Sequence, residues 1–83
     1  MEKKIILILI LNGKEMDIEV PSDLTANELM YGLAVGFLHL EKRGYLDQFY
    51  LCTENPIALL RGECTLEQFG LHDGTKVFIR GRK

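Results

Sequence analysis

Cys52 and Cys64 are the two cysteines of this 83-residue chain and His39 and His72 its two histidines, the residue types that most often hold zinc or supply a strong nucleophile. Their spacing argues against both. The cysteines stand too far apart for a C-x-x-C pair, and two thiols do not complete a tetrahedral zinc site. Neither histidine has a partner four residues away, and they fall on different elements, so both read as surface residues. Cys64 precedes a helical cap, where a helix N-terminus can depress a thiol pKa. Without a placed base it reads as a small packing residue. Reduced, buried thiols are expected for both cysteines, with a disulfide between them as the alternative. No paired carboxylates and no Ser/His/Asp arrangement stand out. The sequence therefore predicts no enzyme and no catalytic, cofactor-binding or metal-ligating residues.

The elements that must position any site are better marked. Asn12-Gly13 lies between two β-prone runs, and a type I′ hairpin turn needs positive φ at both central residues. That turn predicts Leu11 opposite Lys14, Leu9 opposite Met16, Leu7 opposite Ile18 and Ile5 opposite Val20. Ile5, Leu7, Leu9, Met16, Ile18 and Val20 then share one face, the expected core side. Pro21-Ser22-Asp23 ends the second strand, because proline donates no ladder hydrogen bond.

Thr25-Ala26-Asn27-Glu28 has the form of a capping box, with Leu24 and Leu29 at the positions of a hydrophobic staple. The helix it opens is expected to run to Lys42 or Arg43, with Gly44 at the stop. Ala26, Leu29, Met30, Leu33, Phe37 and Leu40 fall on one helical face. Gly32 and Gly36 weaken that helix and hint at close approach by a neighbouring backbone.

Further along, Gln48 to Thr53 reads as a third strand, broken by Asn55-Pro56, and Ile57 to Leu60 as a short fourth. Thr65 to Leu71 reads as one helical turn capped by Thr65 and ended by Gly70. Asp73-Gly74 is a turn, and Thr75 to Arg80 is the last strand, with Val77 and Ile79 inward. The order ββαββ, short helical turn, β predicts an α+β fold: a mixed sheet packed on one long helix. Residues 1–83 read as a single domain with an ordered core of about 3–80.

Composition narrows the partners. A net charge of −2 with both signs scattered offers no broad basic field for nucleic acid. The apolar run Ile5 to Leu11 is too short to span a bilayer. It lacks a small-residue cleavage pattern, so it reads as a buried strand rather than a signal peptide or membrane segment. A cytoplasmic location is the expectation. What stands out is apolar surface. The hairpin register turns Ile6, Ile8 and Ile10 away from the core, opposite Glu19, Asp17 and Glu15, and Phe78 joins them if the last strand lies beside the first. A contiguous apolar row of this kind marks a protein interface. The expected occupant is a protein partner or a second copy of the chain. A stripe of Tyr31, Val35 and Leu38 on the helix is the competing site.

The element order, the joint Pro21-Ser22-Asp23 and the pair Thr65-Leu66 resemble ubiquitin and its β-grasp fold. The pattern Gly62-Glu63-Cys64-x-Leu66-x-x-x-Gly70-x-x-x-Gly74 resembles the YukD/EsaB-like ubiquitin-like family of bacterial type VII (WXG100/ESX-like) secretion systems. The resemblance implies a small cytoplasmic accessory component, without known catalytic residues, that binds proteins of a membrane-bound secretion machine. It also places ubiquitin's hydrophobic recognition patch on the sheet face of Ile6, Ile8, Ile10 and Phe78. The alternative that the resemblance raises is a protein modifier. Such a protein needs a slim flexible tail ending in Gly-Gly. This chain has Arg80-Gly81-Arg82-Lys83, so conjugation would require processing to Gly81.

Overall fold

The computed structural model describes residues 3–37 and 49–81. β1 (Lys4–Leu11) and β2 (Lys14–Pro21) form the expected hairpin. Asn12 and Gly13 take φ of 53° and 80°, the left-handed pair a type I′ turn requires. The register matches the turn's prediction at every step, from Leu11 opposite Lys14 to Ile5 opposite Val20.

The helix α1 (Ala26–Gly32) begins at Thr25 with both arms of the capping box made. The Glu28 N–H donates to Thr25 Oγ1 at 3.1 Å, and the Thr25 N–H donates to Glu28 Oε1 at 2.9 Å. Five residues of π-helix, Leu33–Phe37, continue it. The single long α-helix expected from the sequence is therefore a short α-helix with a wider turn after it. Gly32 and Gly36 stand at this switch, and each costs about 1 kcal/mol relative to alanine in α-helical geometry. A Cβ built on either glycine meets nothing within 4 Å among the described residues. The expected extension to Lys42 or Arg43, and the stop at Gly44, lie outside the described residues.

Three further strands lie among the described residues: β3 (Phe49–Glu54), β4 (Ala58–Leu60) and β5 (Lys76–Gly81). The sheet order is β2-β1-β5-β3-β4, with β1 parallel to β5 and the other neighbours antiparallel. Between β4 and β5 the chain makes a second capped turn. The Gln68 N–H donates to Thr65 Oγ1 and the Thr65 N–H to Gln68 Oε1, a second capping box. The turn ends with the Leu71 N–H on the Leu66 carbonyl and the Gly70 N–H on the Glu67 carbonyl. That bond pair is a Schellman closure, and it holds Gly70 at φ 85°.

The two capped turns are bonded to each other. Thr25 and Thr65 form an isolated antiparallel bridge, flanked by Ala26 N–H to Cys64 C=O and Leu66 N–H to Leu24 C=O. Asn27 reinforces the joint. Its Oδ1 accepts from the Gly62 N–H at 2.8 Å, and its Nδ2 donates to Glu63 at 3.2 Å.

The core lies between the helix and one face of the sheet. Leu7, Leu9, Leu51, Leu60, Leu66 and Val77 are its largest fully buried side chains, joined by Ala26, Leu29, Met30, Leu33 and Ala34 from the helical segment. Met16, expected in the core, is 46% exposed. It sits on β2, the edge strand, opposite the buried Leu9 of β1.

Candidate protein-interaction face

Alternation along β1 decides which side chains face outward. Leu7 is fully buried while its neighbour Ile6 is 44% exposed, and Ile8 and Ile10 are half-buried on the same outer side. In β5, Val77 and Ile79 are buried and Phe78 between them is half-buried. The parallel pairing sets Ile10 beside Phe78 and Ile8 beside Lys76. The four residues expected on the outer face thus come together there.

The row extends further than the sequence reading proposed. Phe78 pairs with Cys52 on β3, and Cys52 pairs with Leu59 on β4, which is 45% exposed. Ile10, Phe78, Cys52 and Leu59 therefore form an apolar line across four strands. The signal for Leu59 was present as alternation with buried Leu60, but its place beside Cys52 depends on the sheet order. Charged residues frame the line. Glu15, Asp17 and Glu19, all exposed, lie opposite Ile10, Ile8 and Ile6 on β2. Lys76 and Arg80 flank Phe78 on β5. The Arg80 guanidinium carbon sits 5.0 Å from the Phe78 ring centroid, so this cation lies over the apolar row.

The competing helix stripe is partly assembled. Tyr31 and Val35 are exposed at 39% and 36%, and Leu38 lies outside the described residues. Both thiols are free. Cys52 is half-buried in the outer row and Cys64 is exposed, so Cys64 is not the buried packing residue expected. Its backbone carbonyl, not its side chain, accepts from the Ala26 N–H at the helix joint. His72 is exposed, its Nδ1 3.0 Å from the Asp73 carbonyl oxygen, and His39 lies outside the described residues. No group of three or more potential metal ligands comes together among the described residues.

Gly81, the residue at which a modifier would be exposed, is held in β5 opposite Phe49. The ladder runs up to it, with no free tail between sheet and glycine. No helix among the described residues is long and apolar enough to cross a membrane.

No protein-family model and no curated protein sequence matches the chain. Solved structures do match its shape. The ubiquitin of Caldiarchaeum subterraneum superimposes with a TM-score of 0.75 at 19% identity, covering 98% of this chain and 96% of that one. The fold is ubiquitin-like. The C-terminal ubiquitin-like domain of mouse tubulin-specific chaperone e matches at TM-score 0.74 and 13% identity, over 99% of this chain and 90% of that one. A ubiquitin-like domain of an Arabidopsis thaliana protein matches at 0.72 and 15%, over 98% and 80%. These likenesses establish the β-grasp architecture expected from the order of elements.

Proposed function

We propose that this ubiquitin-like domain is a non-catalytic protein-binding module that uses its outer sheet face. The observation that carries the reading is the apolar row of Ile6, Ile8, Ile10 and Phe78, continued by Cys52 and Leu59 and framed by charge. A protein interface has this composition: an apolar centre with a polar, solvated rim. The ladder-bound Gly81 favours binding over conjugation, because a conjugated carboxylate needs a free, narrow approach. By its resemblance to the YukD/EsaB-like family, we assign the module to the cytoplasmic side of a type VII secretion system, acting on the machine's own proteins.

The binding face is tested by Ile8→Lys in the native host. The variant keeps its circular dichroism spectrum and loses function in a complementation assay. Full complementation by a folded Ile8→Lys protein, with loss in Val35→Lys, moves the interface to the helix stripe. The secretion assignment has its own test, deletion of the gene and measurement of exported WXG100-type proteins. Unchanged export refutes that assignment and leaves the binding module standing.

A further inference from the structure

The outer face is charged asymmetrically, and the asymmetry is self-complementary. Taking the sheet from its edge, β2 presents Glu15, Asp17 and Glu19, β1 presents Ile10, Ile8 and Ile6 at the same levels, and β5 presents Phe78 and Lys76 level with Ile10 and Ile8. Arg80, one step further along β5, lays its guanidinium on the Phe78 ring and so brings its charge to the level of Ile10 and Glu15. Acid therefore stands on one side of the isoleucine row and base on the other.

Two sheets pack face to face with their strands nearly aligned, about 10 Å apart. Two copies of one face can do this about a twofold axis that runs either across the strands or along them. An axis across the strands lays β2 on β2, acids against acids. An axis along the strands between β1 and β5 lays β2 over β3 and sets Asp17 against Glu54, because Asp17, Ile8, Lys76 and Glu54 share one level. An axis along β1 itself does something different. It stacks Ile6, Ile8 and Ile10 on their counterparts and lays each copy's β2 over the other's β5. Asp17 then meets Lys76, and Glu15 meets Arg80 on its phenylalanine, twice over by symmetry.

We propose that the outer face takes a second copy of this chain, related by a twofold axis along β1. The inference rests on the sheet face being the binding face and names its occupant. Three strands about 4.8 Å apart and seven residues rising about 3.3 Å each cover only a few hundred Å² per copy. That is below the roughly 800 Å² per partner of a stable interface. The dimer is therefore a weak, exchanging one, with a dissociation constant of roughly 10 μM to 1 mM.

Sedimentation of the full chain between about 10 μM and 1 mM tests it with charge reversals at two exposed positions, Asp17→Lys and Lys76→Asp. The wild type moves with concentration from its 9.5 kDa monomer toward twice that mass. Each single reversal places like charges in both symmetric contacts and stays monomeric at every concentration. An equimolar mixture of the two variants regains the dimer, one chain of each, because both contacts then pair opposite charges. That recovery also establishes that both variants are folded. A wild type monomeric at 1 mM, single reversals that dimerise as before, or a mixture that stays monomeric would each overturn the proposal. A monomeric wild type combined with loss of function in Ile8→Lys overturns the self-pairing and leaves the face binding another protein. Dimerisation with a fully functional Ile8→Lys overturns the functional reading of the face instead.

Discussion

The joint between the two capped turns makes a quantitative prediction. Thr25→Ala removes the acceptor for the Glu28 N–H, and Thr65→Ala removes the acceptor for the Gln68 N–H, each bond being 3.1 Å in the structure. Loss of a threonine cap costs about 1 kcal/mol. At roughly 2.1 cal/mol/K per residue, the unfolding entropy of a chain this size converts each loss into about 6 °C of melting temperature. In urea, with a slope of about 1 kcal/mol/M for a small domain, each midpoint falls by about 1 M. The double variant does not lose the full sum. The caps share a backbone joint, with Ala26 bonded to Cys64 and Leu66 to Leu24 around the Thr25–Thr65 bridge. Once one cap is gone the joint is already loosened, so the second costs less, by about 0.5 kcal/mol. Denaturant melts of the four proteins measure this cycle. Strict additivity refutes the coupling. An unchanged midpoint for Thr25→Ala refutes the helix start itself.

Leu7 is fully buried, so Leu7→Lys unfolds the domain. It forfeits roughly 2–3 kcal/mol of apolar burial and drives a cation into the core, against a total stability of about 4–12 kcal/mol for this length. Ile8→Lys, one residue on, stays within about 0.5 kcal/mol of wild type; thermal melts of the pair decide whether the outer face is free. Gly70→Ala costs about 1–2 kcal/mol through its left-handed backbone. Among the described residues the new Cβ would meet only Pro56 Cγ, at an ordinary 3.6 Å, so the cost there is conformational. Gly70→Asn is milder because asparagine tolerates that region, and a denaturant midpoint equal to wild type for Gly70→Ala would mean that the turn does not close there.

The hairpin was legible to the residue because its determinants are local. Asn12-Gly13 selects the turn, the turn sets the register, and a period of two then assigns every side chain of β1 and β2 to a face. The start of α1 was legible for the same reason, since Thr25 and Glu28 lie one helical turn apart. Thr65 was recognised as a cap, while Gln68 as its reciprocal partner was not, although the S/T-x-x-E/Q spacing was present. Asn27 could not be found this way. Its partners, Gly62 and Glu63, are brought to it by the fold of the whole chain. Burial at an edge is equally non-local, since Met16 has the right parity for the core but lies on the last strand of the sheet. The switch from α- to π-helix at Leu33 has no sequence signature beyond the two glycines. Of the candidate face, alternation within strands assigned Ile6, Ile8, Ile10 and Phe78. Cys52 and Leu59 joined it only once β5 was placed between β1 and β3.

The charges of β2 bear on how anything approaches this domain. Among the described residues β2 is an edge strand of eight residues, long enough for its outer backbone groups to template another strand. Lys14, Glu15, Asp17 and Glu19 crowd that edge with charge, and Pro21 closes it without an N–H to donate. The other edge, β4, is only three residues long, too short to extend the sheet. Both edges are thereby blunted against strand addition, while the outer face between them keeps an uninterrupted apolar line from Ile10 to Leu59. In the proposed dimer, association falls on the face rather than the edge. The same three acids that guard the edge then supply one half of the charge pattern that Lys76 and Arg80 complete. A reversal at Asp17 therefore acts on the face-to-face contact, and it leaves the edge charged and still protected.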